Sequence, residues 1–150
     1  MTGVQTCALP ISSFTRAIQG LVIAASTLVV LAGCGSMMKP SQSVSIIEPA
    51  NGTTVTSPFQ VRFGVTGMAL AAAGDVVANS GHHHLLINMD AMPAGESVPF
   101  TERHLHFGRG QANAEVTLPP GTYKLTAQFA NGAHQSYGKA MAQSITVTVK

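Results

Sequence analysis

Six histidines occur in the 150-residue chain: His82, His83 and His84 in a row, His104 and His106 two apart, and His134 alone. In an extended strand, residues i and i+2 point to the same face about 6.6 Å apart, so two imidazoles at that spacing can converge on one ion with metal–nitrogen bonds of about 2 Å. The pairs His82/His84 and His104/His106 both have this spacing. If the two strands lie side by side, facing side chains come within about 5 Å of each other, and four imidazoles share one patch. Imidazole is a good ligand for copper and for zinc. The candidate metal ligands are therefore His82, His84, His104 and His106, and the candidate ion is Cu(II) or Zn(II). The plainer alternative is that these rings are solvated or hydrogen-bonded to backbone, Asn88, Asp90 or Glu102, with no ligand in common.

Parity decides which way the rings face. In the first run His83, Leu85, Ile87 and Met89 form the more apolar set, against His82, His84, Leu86 and Asn88; in the second, Leu105 and Phe107 oppose His104 and His106. Alternation turns both pairs away from the hydrophobic core and turns His83 into it, where a hydrogen-bonded structural role is expected. His134 follows the turn signal Asn131-Gly132 and reads as a loop residue, at most a fifth ligand. Met68, Met89, Met92 and Met141 fall in or near loops. Thioether sulfur selects Cu(I), but methionine more often fills gaps in a core.

The elements that must position these residues are strands. Phe59, Val61, Phe63 and Val65 alternate with Gln60, Arg62 and Gly64; Tyr123, Leu125, Ala127 and Phe129 form another such run, and Ile145, Val147 and Val149 close the chain. Val44 to Ile47 and Ala114 to Leu118 add two more, and no stretch after Leu31 sustains a 3.6-residue apolar stripe. With the two histidine strands the count is about seven, so residues 44–150 are expected to form an all-β, immunoglobulin-like sandwich. The long connections 67–81 and 90–101 are the natural carriers of binding function, and Met68 to Ala73 has room for one helical turn.

The N-terminal third is an address rather than part of the fold. Residues 1–11 are set aside, because Thr2 to Ile11 (TGVQTCALPI) back-translates into a sequence resembling a sequencing-library adapter; Cys7 leaves the functional argument with it. Residues 12–33 have the form of a signal peptide, with Arg16 ahead of an apolar core from Ala17 to Leu31. That core is shorter than the about 20 residues of a membrane-spanning helix. Leu31-Ala32-Gly33-Cys34 resembles the bacterial lipobox, which implies that Cys34 carries lipid and that residues 34–43 are a tether. The membrane is then a partner through the lipid anchor. Gly35 and Ser36 stand where an inner-membrane retention signal carries Asp, so the expected location is the periplasmic face of the outer membrane.

Composition excludes several classes. The net charge is only +2 and charged residues make up 9% of the chain, without a Lys/Arg cluster, so the footprint of a nucleic-acid binder is missing. Gly108-Arg109-Gly110 does not open a helix as a phosphate loop would. There is no GxSxG elbow, and the carboxylates Asp75, Asp90, Glu96, Glu102 and Glu115 show no paired spacing. The chain is not expected to be an enzyme.

At SGHHHLLI (Ser80 to Ile87) and HLHFG (His104 to Gly108) the chain resembles the DUF4399 family of bacterial domains of unknown function. The similarity runs from about Val44 to Lys150 and includes the Leu118-Pro119-Pro120-Gly121 turn and the closing ITVTV strand. It implies an exported, often lipid-anchored protein and carries over the histidines 82–84, 104 and 106. It departs around His134, where NGAHQSYGKA replaces a more acidic, proline-containing stretch. Two functions follow as expectations: a periplasmic copper- or zinc-binding or metal-handling module, or a non-metal envelope module that recognises a protein or glycan.

Overall fold

The computed structural model describes residues 41–150. The adapter-like segment, the leader, Cys34 and most of the tether lie outside the described residues. Nine strands occur among the described residues: β1 (Ser43–Glu48), β2 (Thr54–Val55), β3 (Phe59–Thr66), β4 (Ala69–Leu70), β5 (Ser80–Ile87), β6 (His104–Phe107), β7 (Asn113–Val116), β8 (Gly121–Ala130) and β9 (Ala142–Val149). Two of them, β2 and β4, are two-residue pieces; the other seven match the count expected from alternation. The Met68 to Ala73 stretch is not a helical turn. Ala69 and Ala71 donate to Asn79 O and Gly81 O, which draws the chain into β4 alongside β5.

Two sheets face each other across one core, as a β-sandwich requires. The smaller has the order β1-β3-β7; the larger has the order β2-β9-β8-β5-β4, with β6 also paired to β5. Alternation is strict where only one face of a strand is covered: Phe59, Val61 and Phe63 are buried in β3, and Ile145, Val147 and Val149 in β9, while Gln60, Arg62, Ser144, Thr146 and Thr148 are exposed. Each such side chain taken from water contributes roughly 1.5–3 kcal/mol, which fixes the register, since a one-residue slip would expose the whole set.

Strand β5 breaks the alternation because all eight of its residues are buried. His83, Leu85 and Ile87 face the sandwich interior. On the other face, Leu86 joins Val98 and Ala130 in a second small cluster, against which Met89 and Met92 pack. The chain 88–103 forms part of that cover. Its end is tied down by Val98 N donating to His134 O at 2.8 Å, Ser136 N to Glu96 O at 2.8 Å and Met92 N to Gln128 Oε1 at 3.0 Å. Among the described residues no helix is long and apolar enough to cross a membrane.

Candidate metal centre

The histidines meet on the outer face of the larger sheet. Strand β5 is central, with β8 on one edge and β6 on the other; His84 stands opposite His106 of β6 and opposite Gln128 of β8. The Nε2 atoms of His82 and His84 approach to 3.0 Å, and one ligand atom from each of His82, His84 and His106 lies within 4.8 Å of the others. A fourth ring joins them: His134 Nε2 is 3.1 Å from His106 Nε2, and its ring centroid lies 5.0 Å from that of His82. His82 and His84 are fully buried, whereas His106 and His134 are half-buried at the rim.

Of the four residues expected from spacing, His82, His84 and His106 are brought together and His104 is not among them. Register is the reason. With His84 opposite His106, His104 falls opposite Leu86, one rung beyond the cluster. There its Nδ1 lies 2.7 Å from Thr101 Oγ1. The same register, continued, sets Gly108 level with His82. A β-carbon at Gly108 would lie 2.2 Å from His106 Cε1 and 2.4 Å from its Nε2, so the ring occupies the space that any larger residue would take.

His134 comes from a turn that directly follows β8. Asn131 Oδ1 accepts from Ala133 N and Gln135 N, both at 2.9 Å, and His134 N donates to Asn131 O at 2.9 Å. The turn leaves His134 at φ 62, a left-handed conformation that costs a side-chain-bearing residue roughly 1–2 kcal/mol. Because β8 pairs with β5 so that Ala130 faces His82, a turn starting at Asn131 lies over the His82 end of the cluster. Parity along the histidine strands cannot report this residue; a histidine held by an Asn-Gly turn beside a histidine strand is the signal that would have found it.

His83 faces inward as parity requires, stacked on Phe63 at 4.8 Å and edge-on to Phe129 at 5.1 Å. The hydrogen-bonded role expected for it does not hold: both of its ring nitrogens are buried without a partner. It packs as an aromatic disc. The methionines act as packing residues too: Met141 is in the main core, Met68 packs against that core with its sulfur 3.0 Å from Gln42 Nε2, and Met89 and Met92 cover Leu86.

Burial sets the electrostatics of the site. It pushes His82 down to about 4, with His106 and His134 adding repulsion, and His84 down to about 3, with His82 the next cause. His83 is lowered to about 4 by burial and then by His82. His106 is lowered by burial and by His134, and His104 by burial. The rings therefore stay neutral at pH 7, which leaves a nitrogen lone pair free on each.

Within each pair the donor spacing fits an ion. With metal–nitrogen bonds of about 2.05 Å, neighbouring nitrogens sit about 2.9 Å apart at a right angle and about 3.3 Å apart at the tetrahedral angle; the separations of 3.0 Å for His82/His84 and 3.1 Å for His106/His134 fall between. Across the pairs the ligand atoms of His82, His84 and His106 lie within 4.8 Å of one another, so the pairs must close on each other to share one ion. The Nδ1 atoms of His82 and His84 have no hydrogen-bond partner, so packing orients these rings in place of the usual outer-shell acceptors.

The DUF4399 sequence family, a domain of unknown function, matches residues 61–150, from within β3 to the end of the chain, and includes every histidine. The chain belongs to the DUF4399 family. No curated protein matches it. Among solved structures, the X-ray structure of the endo-beta-1,4-mannanase from Thermotoga petrophila is similar at 11% identity and a TM-score of 0.44, over 73% of this chain and 20% of that one. This DUF4399 chain thus spans about a fifth of the mannanase.

Proposed function

We propose that this DUF4399 domain binds a copper or zinc ion through His82, His84 and His106, with His134 as the fourth ligand, and serves as a metal-binding or metal-handling module. The observation that carries the proposal is the gathering of the four rings, with Nε2–Nε2 separations of 3.0 Å for His82/His84 and 3.1 Å for His106/His134 and one ligand atom each of His82, His84 and His106 within 4.8 Å of the others. If the rings were only structural, they would be expected to bond to backbone or to polar side chains. Instead, Nε2–Nε2 contacts join the rings in two pairs, His82/His84 and His106/His134, the His106 centroid lies 4.9 Å from those of His82 and His84, and the Nδ1 atoms of His82 and His84 remain unpartnered. Because a missing outer shell typically weakens metal affinity about 10–100-fold, an exchangeable ion suits the site better than a permanent structural one. Handling of metal, not catalysis, is the role proposed. The lipobox-like Leu31-Ala32-Gly33-Cys34 supports the further proposal of a lipid anchor on Cys34 at the periplasmic face of the outer membrane.

The test is a titration of the full chain, purified in detergent without a histidine tag, with Cu(II) and with Zn(II), against the double variant His84→Ala/His106→Ala. Saturable binding that disappears in the double variant is expected. Binding of equal affinity in both proteins refutes the site, and absence of binding in the parent leaves recognition of a protein or glycan partner as the better reading.

A further inference from the structure

The charge of the loaded site is unbalanced. A divalent ion held by neutral imidazoles keeps its full +2 charge, and among the described residues the convergent ligand group contains histidines only, without Asp, Glu or Cys. No carboxylate belongs to the ligand group: Glu48 pairs with Arg62, Asp90 with Lys124, and Glu115 accepts from Gln60, while Asp75, Glu96 and Glu102 are exposed, Asp75 with its backbone against Gly132 in the turn of His134. The floor of the site cannot hydrate the ion, because His82 and His84 are fully buried, and a charge removed from water without a counter-charge is costly.

Relief can come only from the rim. His106 and His134 are the two half-buried rings, and Phe100 stands over both at 5.1 and 5.0 Å. Phe100 is 67% exposed, so it shields the rim without sealing it. It lies just beyond Val98, whose backbone N–H bonds to His134 O, so this aromatic cap and the rim ligand are tied to the same stretch of backbone.

Building on the metal site proposed above, we infer that the loaded centre takes a small exogenous anion as co-ligand, entering past His106 and His134 beside Phe100. The anion supplies the negative charge that the chain leaves out, so halide, azide or a small carboxylate is the ligand class. A carboxylate placed in the chain at the rim removes the need for it.

The experiment loads the full chain with Cu(II), measures bound copper, and titrates azide while recording the absorption and electron paramagnetic resonance spectra. His134→Asp and His134→Asn are treated in the same way, and the response is read per bound ion. A new azide-to-copper band is expected in the parent and in His134→Asn. In His134→Asp the azide affinity falls by about tenfold or more, since a fixed unit charge a few ångströms from the ion repels the incoming anion. Bound copper whose spectra do not respond to saturating azide overturns the co-ligand while leaving the metal site standing. An equal azide response in His134→Asp and His134→Asn overturns the charge argument. If the parent binds no copper, both proposals fail together.

Discussion

Acid should unfold the metal-free domain, and the size of the effect follows from the three consecutive histidines. The folded-state values of His82 and His83 near 4, and of His84 near 3, lie below the 6.5 of a free imidazole, so unfolding takes up protons and stability falls as pH drops below about 6.5. At pH 5.5 an unfolded-state imidazole is about nine-tenths protonated while these folded-state rings remain neutral, which costs somewhat more than 1 kcal/mol per ring. For three fully buried rings the loss is about 4 kcal/mol between pH 7.5 and pH 5.5, and the lowered values of His104 and His106 act in the same direction. Small domains have only about 5–15 kcal/mol in total. Urea unfolding in the presence of a chelator, followed by far-ultraviolet circular dichroism across this range, should show the midpoint falling steadily on acidification and the stability leveling off above about pH 7. A free energy of unfolding that changes by less than about 1 kcal/mol from pH 7.5 to 5.5 would refute the burial of neutral rings.

Three further outcomes are expected. Gly108→Ala pushes a β-carbon into the His106 ring and should weaken metal binding by about tenfold or more, the usual scale for a displaced ligand, while circular dichroism still reports a folded sandwich; unchanged affinity counts against the placement of His106. His83→Leu removes two unpartnered buried nitrogens and should leave stability at pH 7.5 equal or raised by about 1 kcal/mol, with metal affinity unchanged; a loss above about 2 kcal/mol in urea melts would show that His83 holds the core by more than packing. Cys34→Ser should release the chain from membranes into the soluble envelope fraction, and continued membrane association of that variant would argue against lipid on Cys34.

Sequence alternation made much of the sandwich legible, because β3 and β9 are covered on one face only and their polar residues had to point outward. It also separated His83 from His82 and His84 correctly, since parity is a local property of one strand. It could not supply the register between β5 and β6. A shift of one rung decides whether His82 or Leu86 gains a histidine partner, and alternation within each strand is the same for both pairings. The complete burial of β5 was hidden for a related reason: Leu86, Val98 and Ala130 are far apart in sequence and form their cluster only once chain 88–103 folds over the sheet. The Asn131-Gly132 signal places His134 in a loop, where it lies, but its place in the cluster depends on the pairing of β8 with β5, which no local pattern carries.

The most direct measurement is anomalous diffraction from crystals of the full chain loaded with zinc or copper. The expected result is a peak about 2.0–2.1 Å from the Nε2 atoms of His82, His84, His106 and His134, with His104 outside its coordination sphere. A peak on His104 and Thr101, or an ordered and unliganded histidine cluster in metal-saturated crystals, would contradict the assignment.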